Sequence, residues 1–231
     1  MVTARRLGLV TGLSLLPATV SLADLVYQND FESGQYGAGW SANAHLDLAP
    51  TFTNFMGRYS ENTSTVLNNS VSLTVPRPSD DTGNPGSGSG SPSVIYSLVF
   101  DFYCIDAWTG GSTATGPDKF EVFVNGANLF SHTFSNTGDS QTYGAPTIGP
   151  AHLGFSAASL DSIYRDIRID FAPGSATQFV FKWRSDGLPG VSSASWGVDN
   201  IRLSYVVTPT PGSTALLGLA GLAFARRRRP A

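Results

Sequence analysis

The sequence has few of the residues that carry most hydrolytic and metal chemistry. Its 231 residues include one cysteine, Cys104, and three histidines. A lone cysteine excludes an intramolecular disulfide, and Cys104 lies in an apolar run that predicts a buried core position. The histidines His45, His132 and His152 stand far apart without HExxH spacing, and no serine occupies a GxSxG motif. The sequence therefore does not indicate a zinc or serine hydrolase.

Glutamate is equally scarce, with only Glu32, Glu61 and Glu121 in the chain. Glycoside hydrolysis needs two carboxyl groups that face each other across the scissile bond. No motif selects such a pair, whether from these glutamates or from the aspartates. The sequence therefore favours a non-catalytic protein, and a secreted glycan-active enzyme, a hydrolase or lyase, is the alternative.

Charged residues make up only 13% of the chain, and the net charge of -3 hides an uneven distribution. Arg5, Arg6 and the cluster Arg226–Arg229 contribute six of the 14 basic residues, so the rest of the chain is clearly acidic. A nucleic-acid-binding domain needs a basic face to displace counterions from phosphates. The charge distribution thus argues against a nucleic-acid partner and favours a cation.

Helical periodicity is missing before residue 213, whereas glycine (25) and proline (14) are abundant. Alternation places Ile163 with Ile167 on one face of DSIYRDIRIDF, and Phe179, Phe181 and Trp183 on one face of TQFVFKWRS. The two segments are thus predicted to be antiparallel strands that could be neighbours in one sheet. SVIYSLVFDFYCI is apolar on both faces, as expected of a central strand. Asn125-Gly126 between two apolar runs predicts a hairpin. With VSLTV and WGVDNIRLSYVV, these segments predict an all-β, antiparallel β-sandwich.

The N-terminal residues 1–23 have the three parts of a secretory signal. Two arginines precede a short apolar stretch, and small residues follow at the positions that signal peptidase reads. We therefore expect export, cleavage by signal peptidase and a single domain at 24–207. Residues 77–92 are polar and of low complexity, and they predict a flexible loop inside that domain, because too little chain precedes them for a separate core.

Acidic side chains occur near both ends of the expected domain. Asp30 and Glu32 flank Phe31, and Asp199 is in phase with apolar residues from Ile201 onward, which predicts a carboxylate on the apolar side of a strand. Together the three carboxylates could gather Ca²⁺ as a structural cation. The alternative is that Asp30 and Glu32 are solvated and that Asp199 accepts N–H groups of a turn.

The stretches NDFESG and SWGVDN, with Gly39-Trp40 after the first, resemble the ends of MAM-type and related jelly-roll modules of extracellular proteins. The resemblance covers most of 24–207, although the cysteines usual in MAM domains are missing. It implies an antiparallel jelly-roll β-sandwich with a role in adhesion or carbohydrate binding. Trp40 and Trp108 are candidate sugar-stacking residues, and core packing is the alternative for both.

The C-terminal segment 208–231 resembles the PEP-CTERM sorting signal of Gram-negative bacteria. Its short motif, Pro209, Thr210, Pro211 and Gly212, has Thr210 where that family has glutamate; it precedes the apolar run 213–225 and the cluster Arg226, Arg227, Arg228 and Arg229. The resemblance implies processing by a membrane-embedded exosortase. A transmembrane helix over 213–225 would be short of the roughly 20 residues that span a bilayer, and the arginines would stay cytoplasmic.

These observations predict an exported protein that is anchored transiently in the inner membrane and then sorted to the cell envelope, cell surface or extracellular matrix. Its expected role is non-catalytic, with polysaccharide as the expected ligand.

Overall fold

The computed structural model describes residues 23–61, 69–79, 81, 93–112 and 116–208. These residues form eleven β-strands and no helix. The strands are β1 (Asp24–Asn29), β2 (Leu46–Ala49), β3 (Phe52–Tyr59), β4 (Ser70–Pro76), β5 (Ser93–Asp106), β6 (Lys119–Val124), β7 (Ala127–Thr133), β8 (Ile148–Ala151), β9 (Asp161–Phe171), β10 (Gln178–Asp186) and β11 (Ala194–Thr208). The prediction of an all-β domain is confirmed.

One antiparallel sheet has seven strands, six of them in the order β2-β3-β11-β5-β9-β8. β5 pairs with β11 on one side and β9 on the other, which confirms the central position that its two apolar faces predicted. The opposite edge of β11 is shared, because β3 pairs with its first half and β1 with residues 201–205. The two strands therefore follow one another along one edge, and a break lies between them.

The second antiparallel sheet has the order β4-β10-β6-β7. β6 and β7 form the predicted hairpin, in which Asn125 (φ 48°) and Gly126 (φ 85°) make a two-residue turn. Positive φ at both turn residues fits the twist of the flanking strands, and Asn-Gly adopts it readily. The two alternating segments expected to be neighbours, β9 and β10, lie in opposite sheets, so that prediction is wrong.

The two sheets share one core between their inner faces, which is the arrangement of a β-sandwich. Phe100 of β5 contacts Trp183 of β10 at 6.1 Å between ring centroids, and Phe120 of β6 contacts Trp196 of β11 at 5.1 Å. Cys104 is fully buried in this core, as predicted, and burial raises the pKa of its thiol. Each buried large side chain stabilises the fold by about 1.5–3 kcal/mol relative to exposure.

A smaller apolar cluster covers part of the outer face of the seven-stranded sheet. Phe52, Phe55 and Tyr103 form its aromatic centre, and Leu153 joins them from the segment between β8 and β9. The fully buried carboxylate of Asp161 accepts the Leu153 N–H at 3.0 Å, which fixes that segment over the sheet.

Bulges in β9 and β11 reverse the alternation of side chains. In β11, Trp196 and Val198 face the inter-sheet core, but after Asn200 (φ 50°) it is Ile201 and Leu203 that do so. The register of β11 against β5 shifts between Asp199 and Arg202. Since one extra residue transfers every later side chain to the other face, the prediction that Asp199 shares a face with Ile201 is wrong.

A bulge also reverses the alternation in β9. Tyr164 faces the inter-sheet core and Ile163 the outer cluster, whereas Ile167 and Ile169 face the core after the bulge at Asp166 (φ 53°). A continuous alternation would have placed Ile163 with Ile167. The register of β9 against β5 shifts beside Phe100 and Phe102, so both bulges flank the same point of β5.

The terminal predictions, the signal at 1–23 and the segment 208–231, fall almost wholly outside the described residues. No described stretch forms a helix that is long and apolar enough to cross a membrane. Of the loop predicted at 77–92, residues 77–79 and 81 are described. Arg77 there is tied to its surroundings, since its guanidinium donates to Asp81 (2.5 Å) and to the carbonyls of Gly174 and Ala176.

Candidate functional site

A pocket of about 410 Å³ opens on the outer face of the seven-stranded sheet, beside the two bulges. Five of its lining side chains are charged, whereas each of two other pockets of similar volume has one. Its lining consists of Gln28, Asn29, Asp30, Asp101, Arg165, Asp166, Asn200, Ile201 and Arg202. Convergence of charged and amide groups in a cleft makes this pocket the candidate site.

The end of β1 and the turn that follows it form one wall of the pocket. The Asn29 side chain accepts the Phe31 N–H at 2.8 Å and donates to the Tyr36 carbonyl at 3.1 Å. This turn puts Phe31 at φ 56° with its ring fully buried in the core. Asp30 is thereby left exposed at the mouth of the pocket.

Asp101 forms the floor, where β5 runs between the two bulged strands. Its Oδ1 accepts the Asp166 N–H at 2.8 Å, and its Oδ2 accepts a hydrogen bond from Asn200 Nδ2 at 3.0 Å. The residue is only 6% exposed. One carboxylate therefore connects both bulges.

Asp199 lies beside this floor and is 1% exposed. Its Oδ2 accepts the Tyr103 hydroxyl at 2.7 Å, and its Oδ1 accepts the Asn200 N–H at 2.6 Å. The pKa of Asp199 is raised to about 6, mainly by burial and less by the negative charges of Asp101 and Glu32, while the hydrogen bonds from Tyr103 and Asn200 lower it. Asp101 and Asp199 accept hydrogen bonds from neutral donors of Tyr103, Asp166 and Asn200, so their negative charge is not neutralised next to the pocket.

The basic residues of the pocket offset only part of this charge. Arg202 donates to Asp166 Oδ1 at 2.7 Å, in a pair whose side chains are both more than half exposed. Arg165 also lines the pocket, and its backbone N–H donates to Thr147 Oγ1 at 3.1 Å. The site can thus offer carboxylate acceptors together with guanidinium and amide donors to a polar ligand.

Of the three predicted calcium ligands, Asp30 lines the pocket and Asp199 lies opposite Asp101 beside its floor. Glu32 is exposed near them, since its charge acts on Asp199 and its N–H donates to Asp30 Oδ1 at 3.2 Å. Within the described ranges, no three His, Cys, Asp or Glu side chains are grouped closely enough to hold a metal ion. The alternative interpretation also finds support, because Asp30 is solvent-exposed and Asp199 accepts a backbone N–H of its own bulge.

The tryptophans predicted to stack on sugars are placed differently. Trp108 is fully buried, its indole N–H donates to the Ser195 carbonyl at 2.8 Å, and its ring packs on Phe102. A ring with no exposed face cannot stack on a sugar, so Trp108 is corrected to a core residue. Trp40 is partly buried and stacks on Trp183 at 5.7 Å, outside the pocket lining.

The predicted sorting residues Pro209, Thr210, Pro211 and Gly212, and the arginines Arg226, Arg227, Arg228 and Arg229, lie outside the described residues. Of the pocket residues, only Asp30 was predicted from the sequence, and the side chains that were missed include Asp101, Arg165, Asp166, Asn200 and Arg202. Asp101 carried a usable signal, because it is a lone charge between Phe100 and Phe102 in an apolar run. The others depend on bulges, which alternation alone does not reveal.

No protein-family model and no curated protein matches this sequence. Among solved structures, the chain is similar to dimeric latent PorU from Porphyromonas gingivalis, with 12% identity, a TM-score of 0.38, and coverage of 84% of this chain and 14% of that chain. It is also similar to Fisc, a Stig cyclase from Fischerella sp. TAU, with 14% identity, a TM-score of 0.30 and coverage of 81% and 100%. The Agl-KA catalytic domain has 14% identity, a TM-score of 0.28 and coverage of 87% and 30%. The chain thus spans 14% of the length of PorU, and similarities at these TM-scores carry no argument about fold or function.

Proposed function

We propose that residues 24–207 are the jelly-roll ectodomain of an exported, non-catalytic protein of the cell surface or extracellular matrix, and that the pocket beside Asp101 binds polysaccharide. The pocket is the observation that carries this proposal. Its carboxylate, amide and guanidinium groups offer both acceptors and donors, as hydroxyl groups of a sugar require. Its volume of about 410 Å³ lies in the range of small-ligand sites.

Calcium is part of the proposal as a structural cation near the pocket. Asp101 and Asp199 are buried carboxylates with neutral hydrogen-bond donors, and Asp30 and Glu32 are nearby. Buried charges are stabilised by a partner of opposite sign, and Ca²⁺ takes six or more oxygen ligands. Backbone carbonyls and water would have to supply the remaining ligands, because the carboxylates do not form a ready cluster.

Sorting through the segment 208–231 completes the proposal. The order of short proline motif, apolar run and arginine cluster supports processing by an exosortase after transient retention in the inner membrane. Intact-mass analysis of the protein from mature cells tests this step. A chain that still ends at Ala231 would contradict processing, and a mass consistent with loss of the apolar run would support it.

The binding function is tested by incubating the full-length chain on a glycan array in the presence of calcium or EDTA. Retention of one or more polysaccharides, without change in their length, is the expected result. Absence of binding to every glycan would contradict the proposal. Shortening of a bound glycan would favour the alternative, a glycan-active enzyme.

That alternative has one observation in its favour. Asp199 has a pKa raised to about 6 and lies beside Asp101, and a carboxyl group with a raised pKa is typical of general acid–base catalysis. Both carboxylates, however, are largely buried and engaged in hydrogen bonds within the bulges. Binding therefore remains the function that this geometry supports best.

A further inference from the structure

We infer that Asp101 is a positioning residue that sets the shape of the pocket, because its single carboxylate fixes the bulges of both neighbouring strands. The inference rests on the proposed function for its ligand. Asp101 also has a role in the fold itself, because its carboxylate keeps Asp166 and Asn200 in place. Asp101 acts through these two residues.

Each of the two bulged strands donates one hydrogen bond to the Asp101 carboxylate. On one side, β9 bulges at Asp166 (φ 53°), and the freed backbone N–H donates to Asp101 Oδ1 at 2.8 Å. On the other side, β11 bulges at Asn200 (φ 50°), and its side-chain Nδ2 donates to Asp101 Oδ2 at 3.0 Å. A bulge leaves a residue outside the ladder, so its polar groups need a substitute partner.

A carboxylate is well suited to this position. Both bulged residues adopt the left-handed region, which is unfavourable for residues other than glycine although Asn and Asp tolerate it best. Hydrogen bonds to a charged acceptor are roughly twice as strong as neutral ones and offset that strain. An amide at position 101 could still accept from the Asp166 N–H but would turn its NH₂ towards the NH₂ of Asn200.

The consequence reaches the charged wall of the pocket. Asp166 holds Arg202 through its Oδ1, and Arg165 precedes Asp166 directly in the chain. Without the Asp101 carboxylate the Asp166 N–H loses its acceptor, so the bulge no longer holds Arg165 and Asp166 in place at the wall of the pocket. Loss of the Asp101 carboxylate should therefore weaken binding without removing a core contact.

The test uses three full-length variants, Asp101→Asn, the double variant Asp101→Asn with Asn200→Asp, and the control Asp170→Asn. The double variant restores a donor–acceptor pair between positions 101 and 200. Its total charge equals that of the original chain, because one carboxylate is removed and one is added. Asp170 is a matched control because it lies on β9 and its carboxylate accepts hydrogen bonds from Ser97 and Arg168 away from the bulge.

Two readouts are measured. Amide hydrogen exchange of Asp166 is followed by NMR at about pH 5, below the raised pKa of Asp199, to reduce its repulsion of a carboxylate at position 200. Binding is measured with three probes, namely cellohexaose, chitohexaose and a hexamer of mannuronate. We expect D101N to accelerate exchange at Asp166 about tenfold or more and to weaken binding of the best probe by a similar factor.

The double variant should restore exchange protection at Asp166 to within a few-fold, and D170N should change neither exchange nor binding. Unchanged exchange at Asp166 in D101N would overturn the inference, and so would a double variant that regains its melting temperature but not its exchange protection. The proposed function fails separately, if the original chain binds none of the probes or arrayed glycans. In that case the exchange data still decide the role of Asp101 in the fold.

Discussion

Asp101 and Asp199 lie directly opposite each other on neighbouring strands, and both side chains face outward from the seven-stranded sheet. Two carboxylates in this position repel each other, and both are more than nine-tenths buried. Donated hydrogen bonds from Tyr103, Asn200 and the Asp166 N–H compensate them in part. The same arrangement that builds the pocket therefore reduces the stability of the folded state at neutral pH.

The substitution Asp199→Asn should stabilise the protein at neutral pH. The pKa of Asp199 is about 6 in the folded state against an ordinary value of 3.8, mainly because of burial. The folded state thus binds this proton more tightly, so the contribution of Asp199 to the free energy of unfolding falls as pH rises from about 4 to 6, by up to about 3 kcal/mol. We expect D199N to gain about 1–3 kcal/mol above pH 7 and to lose this part of the pH dependence in urea unfolding.

Asp170→Asn is the control of opposite sign. Hydrogen bonds from Ser97 and Arg168 lower the pKa of Asp170, so its removal should cost a small amount of stability, under about 1 kcal/mol at an exposed site. Equal pH profiles for D199N and the original chain would refute the assignment of the raised pKa to Asp199.

Gly39→Ala should be far more destabilising than Gly34→Ala. Both glycines have positive φ, but a Cβ at Gly39 would lie 2.4 Å from the Thr74 carbonyl oxygen, whereas a Cβ at Gly34 would meet nothing within 4 Å. The Gly39 variant must shift the hydrogen bond from the Thr74 N–H to the Gly39 carbonyl, which closes the edge of β4. We expect losses of about 3 kcal/mol at Gly39 and about 1 kcal/mol at Gly34 in the free energy of unfolding. Similar losses at both positions would contradict the close approach.

The four tryptophans should differ in their access to a quencher. Trp108, Trp183 and Trp196 are fully buried, whereas Trp40 is partly exposed. Trp40→Phe should therefore remove most of the fluorescence that acrylamide quenches, and Trp108→Phe should leave that fraction intact. The Trp108 variant should instead lose about 1 kcal/mol of stability, because the Ser195 carbonyl loses its donor. Strong quenching that persists in W40F would show that a buried ring is reachable.

Calcium should raise the melting temperature, because the proposed structural cation binds the folded state. A ligand that binds only the folded state at a hundred times its dissociation constant adds about 2.7 kcal/mol, which corresponds to several degrees. Asp30→Asn should reduce the shift and Asp170→Asn should not, since only Asp30 is near the proposed ion. Identical melting curves in millimolar calcium chloride and in EDTA would refute the calcium proposal.

Local patterns in the sequence predicted most of the strands. The Asn125-Gly126 turn, the apolar run that became β5 and the alternation of Phe179, Phe181 and Trp183 were all confirmed. Each rests on interactions between residues close in sequence, or on simple burial of one face. Such patterns can be interpreted without knowing which strand is the partner.

The pocket was less accessible to prediction. Alternation placed Asp199 with Ile201 and Ile163 with Ile167, and a single inserted residue in each strand made both assignments wrong. These bulges are stabilised by Asp101, which is distant from both along the chain. A pattern within one strand cannot report a partner on another strand, so Asp30 was the only pocket residue found from sequence.

The bulge at Asn200 makes the length of β11 as restrictive as its composition. Because Trp196 and Val198 use one parity and Ile201 and Leu203 the other, removal of a single residue between them would turn one of these pairs out of the core. A substitution at exposed Arg202, by contrast, changes one surface contact. In a library of deletions and substitutions, this strand should tolerate many substitutions at exposed positions but no deletion.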